Sequence, residues 1–261
     1  MDKKTVIIIL LILVGVVGTI IFFSKNYSFK LYVLNAGKAD SSVIYYKDKT
    51  IVIDTGEEDF YNTLNNHLKS HNSSKIDYLI ITHFDKDHVG SASKLIDDYE
   101  IGTIYITNTI KESDYYNNYV ASINKKNITP KIVTGDLDVS IDDLKIVING
   151  PDKLYAYDES NNSSLIVSIK YKQHSFLFMG DALNERMKDY IETHDGSYDV
   201  IKLPHHGDYL KQDEELIKKY NPRTVIVSSN FIDEKLKSLI SKYNLTMHYT
   251  NEANAYLYKE L

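Results

Sequence analysis

The stretch Thr82-His83-Phe84-Asp85-Lys86-Asp87-His88-Val89-Gly90 brings two histidines and two aspartates together in the sequence. It follows Ile76–Ile81, an apolar run that indicates a buried strand. Imidazole nitrogen and carboxylate oxygen are the ligands that zinc, manganese and iron take in hydrolytic sites. We therefore predict that His83 and Asp85 face one metal ion and that Asp87 and His88 face a second.

Three other segments place His or Asp just after a strand-like run. They are Ile53-Asp54-Thr55-Gly56, Met179-Gly180-Asp181 and Leu203-Pro204-His205-His206-Gly207. Asp181 is predicted to bridge the two metal ions, and the alternative is a simple N-cap for a helix over Asn184–Glu192. Of the two adjacent histidines we prefer His205 as the ligand and leave contact with the substrate to His206. Asp54 is expected to orient a metal-bound histidine from behind.

The N-terminus carries an apolar segment. Val6–Phe23 is free of charged residues for about 18 residues, enough for a helix to span the hydrocarbon of a membrane. No small-x-small cleavage site follows at Phe22-Phe23-Ser24-Lys25, so an uncleaved anchor is preferred over a signal peptide. Residues 1–28 are predicted to be this anchor with a short linker, and residues 29–261 the catalytic domain. The weak lysine bias favours a short tail inside the cell and an extracellular domain on a single-pass cell-membrane protein.

Composition limits the chemistry. The chain has no cysteine, which excludes disulfides, thiolate ligands and a cysteine nucleophile. Its net charge is −6, so it lacks the basic character expected of a protein that binds duplex DNA tightly. A metal site or a local group of lysines would still supply positive charge for a phosphodiester substrate, with DNA as one candidate. No feature points to a protein partner.

Strand-like and helix-like segments alternate in both halves of the chain. The predicted strands include Phe29–Leu34, Ser42–Tyr46, Thr50–Ile53, Thr103–Ile106, Leu144–Ile148, Leu165–Tyr171, Ser175–Met179, Val200–Leu203, Thr224–Val227, Thr246–Tyr249 and Ala255–Tyr258. The predicted helices include Phe60–Lys69, Ser91–Tyr99, Asp114–Lys126, Asn184–Glu192, Asp213–Tyr220 and Asp233–Tyr243. Two mixed sheets packed face to face with helices outside would bury all these runs.

These motifs resemble the metallo-β-lactamase-fold hydrolases, whose pattern is H-x-H/D-x-D-H, then a lone Asp, then a late His. The similarity is greatest to the branch that forms the nuclease-like domain of the ComEC competence proteins. Three other segments share this resemblance: Asn35–Ser41, Asn161-Asn162-Ser163-Ser164-Leu165 and His205-His206-Gly207. The resemblance implies an α/β (α+β) fold, a four-layer αββα sandwich. It also implies Asp40, Asn162 and Ser163 as residues that support the metal ligands or contact substrate.

The third ligand of the first metal ion is missing from the pattern. The nearby His174 lies in a hairpin turn, and five strand residues would hold it roughly 17 Å from Asp181. In the ComEC-like branch Asn161, Asn162 and Ser163 face Asp181 instead. The first metal ion would then have oxygen-rich ligands that favour manganese over zinc, or it would be held weakly. Asp208 also replaces the usual Ser, and no Gly-His-Pro follows Ser228-Ser229-Asn230, so the substrate contacts differ from those of the branch.

The predicted function is a membrane-anchored, metal-dependent hydrolase, a phosphodiesterase or nuclease-like enzyme. Two divalent ions, zinc or manganese, would share a hydroxide that attacks phosphorus or a carbonyl, with Asp87 orienting it as the catalytic residue. Two alternatives stay open. One is hydrolysis of a lactone, lactam or thioester, and the other is an anchored binding domain with a relict metal site.

Overall fold

The computed structural model describes residues 4–6, 8–15, 29–155, 159–251 and 255–259, which form two seven-stranded mixed sheets. The first sheet has the order β14-β1-β2-β3-β4-β5-β6. Its strands are β1 (Lys30–Leu34), β2 (Ser41–Tyr46), β3 (Lys49–Thr55), β4 (Lys75–Ile81), β5 (Glu100–Ile106), β6 (Lys131–Ile132) and β14 (Ala255–Lys259).

The second sheet has the order β13-β12-β11-β10-β9-β8-β7. Its strands are β7 (Gly135–Asp138), β8 (Leu144–Gly150), β9 (Ile166–Tyr171), β10 (His174–Phe178), β11 (Val200–Lys202), β12 (Thr224–Val227) and β13 (Thr246–Tyr249). The α-helices are Tyr61–Ser70, Lys86–Val89, Ala92–Asp98, Asp114–Lys125, Glu159–Asn162, Asn184–Thr193, Asp213–Tyr220 and Glu234–Lys242. Short 3₁₀ turns cover Glu58–Phe60 and His205–Gly207.

Apolar side chains fill three layers. Between the sheets, Leu144, Ile146 and Ile148 of β8 alternate inward and meet residues of β1 to β3. This alternation is the pattern of a strand with one face on the core. Each sheet also packs its outer face against helices, in a cluster around Leu64 for the first sheet and one around Leu216 for the second. The predicted sandwich of two mixed sheets with helices outside is therefore confirmed.

Strand direction decides where polar residues gather. Strands β3, β4 and β5 run parallel to one another, as do β10, β11, β12 and β13. The carboxyl ends of parallel strands meet at one edge of a sheet, which is where ligands bind in open α/β folds. The segments that begin at Asp54, Thr82, Met179 and Pro204 lie at these ends.

Several elements differ from the sequence prediction. Strands β6 and β7 and the helices Lys86–Val89 and Glu159–Asn162 were not predicted, because each spans only two to four residues and shows no clear periodicity. Most other boundaries shift by one or two residues, as at Glu234–Lys242.

The membrane span predicted over Val6–Phe23 lies partly outside the described residues, which omit residue 7 and residues 16–28. Residues 4–6 and 8–15 are helical. Within the part of the chain that the structure describes, no helix combines the length and the apolar character needed to cross a membrane. The division at residue 28 stays a prediction.

Candidate metal centre

Four side chains from three different segments meet at the shared edge of the two sheets. Asp87 and His88 lie on the short helix after β4, Asp181 follows β10, and His206 follows β11. One ligand atom of each lies within 4.8 Å of the others. We call these residues the four-residue cluster.

The closest contacts in the cluster converge on one carboxylate oxygen. Oδ2 of Asp181 is 3.3 Å from Nε2 of His88 and 3.1 Å from Nε2 of His206. Nε2 of His206 is also 3.1 Å from Oδ2 of Asp87. His88 and His206 are buried, and only Asp87 has appreciable exposure, at 20% of its side chain. Two imidazoles and two carboxylates thus point at a common, largely solvent-shielded space.

A carboxylate orients His88 from behind. Asp54 Oδ2 is 2.8 Å from His88 Nδ1 and also accepts a hydrogen bond from the Thr82 hydroxyl. Its Oδ1 accepts from the Thr82 backbone N–H at 2.8 Å. Asp54 has a φ of +56°, a left-handed conformation that is uncommon for a residue with a side chain and often occurs at functional sites. This is the orienting position that the sequence analysis expected for Asp54.

A second carboxylate lies behind His206. Asp40 Oδ1 is 3.4 Å from His206 Nδ1, and the Ser228 hydroxyl lies 3.1 Å from the same nitrogen. Asp40 also pairs with Lys202, whose side chain is 2% exposed. A buried lysine is stable only with a charge partner, so Lys202 and Asp40 stabilise each other inside the fold. Both histidines of the cluster therefore have a carboxylate on the ring nitrogen that faces away from the cluster.

Opposite charges determine the ionisation of this centre. Burial disfavours charge on Asp181, but the adjacent His88 and His206 outweigh it and hold the pKa of Asp181 well below its ordinary value. Burial likewise opposes charge on His88 and His206, yet neighbouring carboxylates raise the pKa of both imidazoles well above the ordinary value. For His88 these are Asp181 and Asp54, and for His206 they are Asp181 and Asp40. A divalent cation bound by these residues would compensate the charge of the same carboxylates in place of the protons.

The unpaired atoms of the site fit a metal ion. Nε2 of His83, His88 and His206 and Oδ1 of Asp181 are buried and make no hydrogen bond of acceptable geometry with the described residues. A buried polar atom left without a partner is costly, and such atoms are few in folded proteins. A cation held by the four-residue cluster would satisfy the cluster nitrogens, and its nitrogen and oxygen ligands suit zinc or manganese.

His83 and Asp85 form a second, less complete side of the centre. Nε2 of His83 is 3.8 Å from Oδ1 of Asp85. The other oxygen of Asp85 accepts a hydrogen bond from Lys111 Nζ at 2.6 Å, and the Ser160 hydroxyl also donates to this carboxylate. Burial lowers the pKa of His83, and the charge of His88 lowers it further. His83 is therefore neutral near pH 7, and its environment differs from that of His88 and His206.

The Asn161–Ser164 segment holds the loop beside this second side. Ser164, which belongs to a quoted motif but was given no role from the sequence, accepts a hydrogen bond from the Asp181 backbone N–H at 3.1 Å and lies 3.4 Å from Nδ1 of His83. Asn162 accepts from the backbone of Arg186, and Ser163 donates to the Ser160 carbonyl. Asn162 and Ser163 are fully buried. The structure therefore places them as supports of the loop and not on a surface open to substrate.

The structure brings only one of the two adjacent histidines into the four-residue cluster. The sequence analysis preferred His205, but His206 is the one that joins the four-residue cluster. His205 is 30% exposed and lies 3.4 Å from Asp208. Both residues have a positive φ, and this left-handed turn sends the two adjacent side chains in different directions. Sequence adjacency gave no information about that turn.

Two further predictions can be compared with the structure. Asp181 does not cap the following helix, whose N-cap residue is Leu183 and has no side-chain capping bond. His174 begins β10 and packs against the Tyr258 ring, at the opposite end of that strand from Asp181. The sequence does carry a signal for Lys202, because a lysine within the buried run Val200–Leu203 indicates a paired charge. Lys111 carried no comparable signal, because exposed lysines are common.

Gly180 allows the two sheets to approach each other at the site. It has a φ of +54°, and a Cβ there would lie 3.0 Å from Ser164 Cβ and 3.1 Å from Thr82 Cβ. Any other residue would push apart the loops that carry Asp181 and His83.

Comparison with known proteins is consistent with this geometry. The sequence profile described as "Metallo-beta-lactamase superfamily" matches residues 34–229. ComE operon protein 3 of Bacillus subtilis (strain 168) is 24% identical over 195 residues, which is 71% of this chain and 25% of that protein. The chain thus spans about a quarter of the length of this relative.

Solved structures share the fold at low sequence identity. The metallo-β-lactamase fold protein YhfI from Bacillus subtilis superposes with a TM-score of 0.60 at 10% identity, covering 89% of this chain and all of that one. A diphosphatase of the PhnP family superposes with a TM-score of 0.51 at 11% identity, covering 84% and 94%. Together with the profile match over most of the sequence, the two-sheet sandwich and the His/Asp cluster at its edge lead to one conclusion: the chain belongs to the metallo-β-lactamase superfamily and is a metal-dependent hydrolase.

Proposed function

We propose that this protein hydrolyses phosphodiester bonds, using a divalent cation, zinc or manganese, held by Asp87, His88, Asp181 and His206. The observation that carries the proposal is the convergence of two buried imidazoles and two carboxylates on one largely solvent-shielded space.

The residues of the cluster have separate roles in this proposal. A cation held there would supply Lewis acidity for a phosphoryl oxygen and would lower the pKa of a water molecule. Asp87 is the most exposed member of the cluster, so its carboxylate is the group placed to orient the attacking water. Asp54 and Asp40 keep the rings of His88 and His206 in position from behind. Asp181 holds both histidines from the front.

Two lysines favour an anionic substrate. Lys38 lies on the β1–β2 loop and pairs with Asp208, and Lys111 lies on the loop after β5 and pairs with Asp85. Both are roughly half exposed and lie beside the segments that carry His206 and Asp87. Such lysines attract a phosphodiester more than a neutral lactone, lactam or thioester. The similarity to ComE operon protein 3 and the resemblance of the motifs to the nuclease-like ComEC branch support the same assignment, with DNA as one candidate substrate.

We further propose that the N-terminal segment anchors the protein in the cell membrane with the domain outside. The sequence of Val6–Phe23 supports this, as do the exposed apolar side chains of the described helical residues, such as Leu11 at 66%. Protease added to wall-free cells should digest the domain. Full protection of the domain, while a known external protein is cleaved, would contradict this orientation.

Hydrolysis is tested on the full chain in detergent, loaded with zinc or manganese. We expect turnover of bis(p-nitrophenyl) phosphate that disappears with a chelator and returns with metal. A lactone, a β-lactam and a thioester are assayed in parallel. Faster turnover of any of these carbonyl substrates would overturn the phosphodiester assignment. Purification without bound metal, and failure to take up metal, would overturn the enzymatic role.

A further inference from the structure

The Asp85 carboxylate is held by the chain's own cation. Lys111 Nζ is 2.6 Å from one of its oxygens, and the Ser160 hydroxyl donates to the other. Asp85 is 18% exposed, whereas Lys111 is 48% exposed and lies in the loop between β5 and the helix Asp114–Lys125. The lysine therefore reaches the site from the solvent side.

Within the described residues, no third histidine, aspartate or glutamate joins His83 and Asp85 in a three-ligand group. The Ser163 hydroxyl donates to a backbone carbonyl at 2.6 Å, and the Ser164 hydroxyl accepts from the Asp181 N–H on the Nδ1 side of His83. The groups of described residues that could hold a metal ion include neither His83 nor Asp85. His83 Nε2 is buried without a hydrogen-bond partner, but the only carboxylate beside it on this side, that of Asp85, is already paired with Lys111, so among the described residues this side is a weaker cation site than the four-residue cluster.

We propose that the ammonium group of Lys111 takes the place of a second metal ion. It neutralises Asp85, and its positive charge opposes the entry of a divalent cation between Asp85 and His83. It also brings a positive charge close to the cluster for a substrate oxygen. This assignment deepens the proposed function, since it concerns the same centre, but it makes a claim about metal binding that requires no substrate.

The test is equilibrium dialysis of the full chain in detergent against Mn²⁺ and, separately, Zn²⁺, with bound metal measured by elemental analysis. The unchanged protein should bind one equivalent tightly. Lys111→Met should strengthen binding of a second equivalent about tenfold, because it removes a like charge and releases the Asp85 carboxylate. Lys111→Arg keeps the charge and should behave like the unchanged protein.

Lys125→Met is the matched control. Lys125 pairs with Asp97 on the surface, and its substitution removes the same formal charge away from the centre. It should leave the binding curve unchanged. Two equivalents of similar affinity in the unchanged protein, or no change of the second equivalent in Lys111→Met, would overturn the proposal. Dialysis involves no substrate, so a failure of phosphodiester hydrolysis does not affect this result.

Discussion

The two sides of the centre lie next to each other and are built differently. His88 and His206 each lie between the central Asp181 and a carboxylate behind the ring, and their pKa values are raised. His83 has hydroxyl oxygens behind its ring, Thr82 at 3.2 Å and Ser164 at 3.4 Å, and its pKa is lowered. Carboxylates behind a histidine make it a better metal ligand, whereas hydroxyls do so less. We therefore expect His88 and His206 to bind a metal ion more strongly than His83 does.

The largest effect is expected for Asp181→Asn, which keeps the shape of the side chain and removes the charge on which both histidines converge. Hydrolysis should fall about a thousandfold or more, with loss of bound metal. The measurements are turnover of bis(p-nitrophenyl) phosphate and elemental analysis.

His174→Ala is the control for this change, because His174 lies at the opposite end of β10. Its activity should stay within about twofold of the unchanged protein, as is usual for substitutions away from a site. Full activity in Asp181→Asn would remove the four-residue cluster from the mechanism, and equal losses in both variants would show that the effect is on folding.

The adjacent histidines give the next contrast. His206→Ala should weaken metal binding by about a hundredfold or more, because it removes a ligand and leaves Asp40 and Asp181 without their shared partner. His205→Ala should have little effect on metal affinity, since His205 lies outside the cluster. Dialysis against Zn²⁺ measures both. A greater loss in His205→Ala would restore the assignment that the sequence favoured.

Lys202→Met tests whether the charge behind His206 affects the metal. It leaves Asp40 buried without its lysine. Metal affinity should fall by about tenfold, which is in the range found for groups that support metal ligands. The paired change Asp40→Asn with Lys202→Met removes both charges and should recover thermal stability without full recovery of metal affinity. Restoration of both properties together would mean that the ion pair serves folding alone.

The smallest expected effect is a dependence of stability on pH. In the metal-free protein the raised pKa values of His88 and His206 add stability that is fully present below about pH 6.5 and is lost as the pH rises through the raised values. Metal binding needs neutral imidazoles, so the increase in Tm on adding zinc should grow above about pH 6.5, by several degrees. Thermal unfolding with and without zinc at a series of pH values measures this. An increase in Tm that is the same at every pH would contradict the coupling.

Much of the site could be predicted because its residues follow strands. The run before Thr82 and the run before Met179 are apolar enough to mark buried strands, and the His and Asp residues come directly after them. That pattern was sufficient to predict the two-sheet sandwich and to select Asp87, His88 and Asp181 as site residues. It also predicted the orienting position of Asp54.

The remaining features depend on contacts between residues far apart in the chain. Asp40 meets Lys202, Ser164 meets Asp181, and Lys111 meets Asp85, and no local periodicity connects these partners. The choice of His206 over His205 also depends on a left-handed turn after β11. The sequence by itself determined the strands, the ligand types and the edge where they gather. Only the tertiary structure decided which imidazole enters the cluster and which cation meets Asp85, because backbone direction and burial are properties of the packed sheets and not of any single segment.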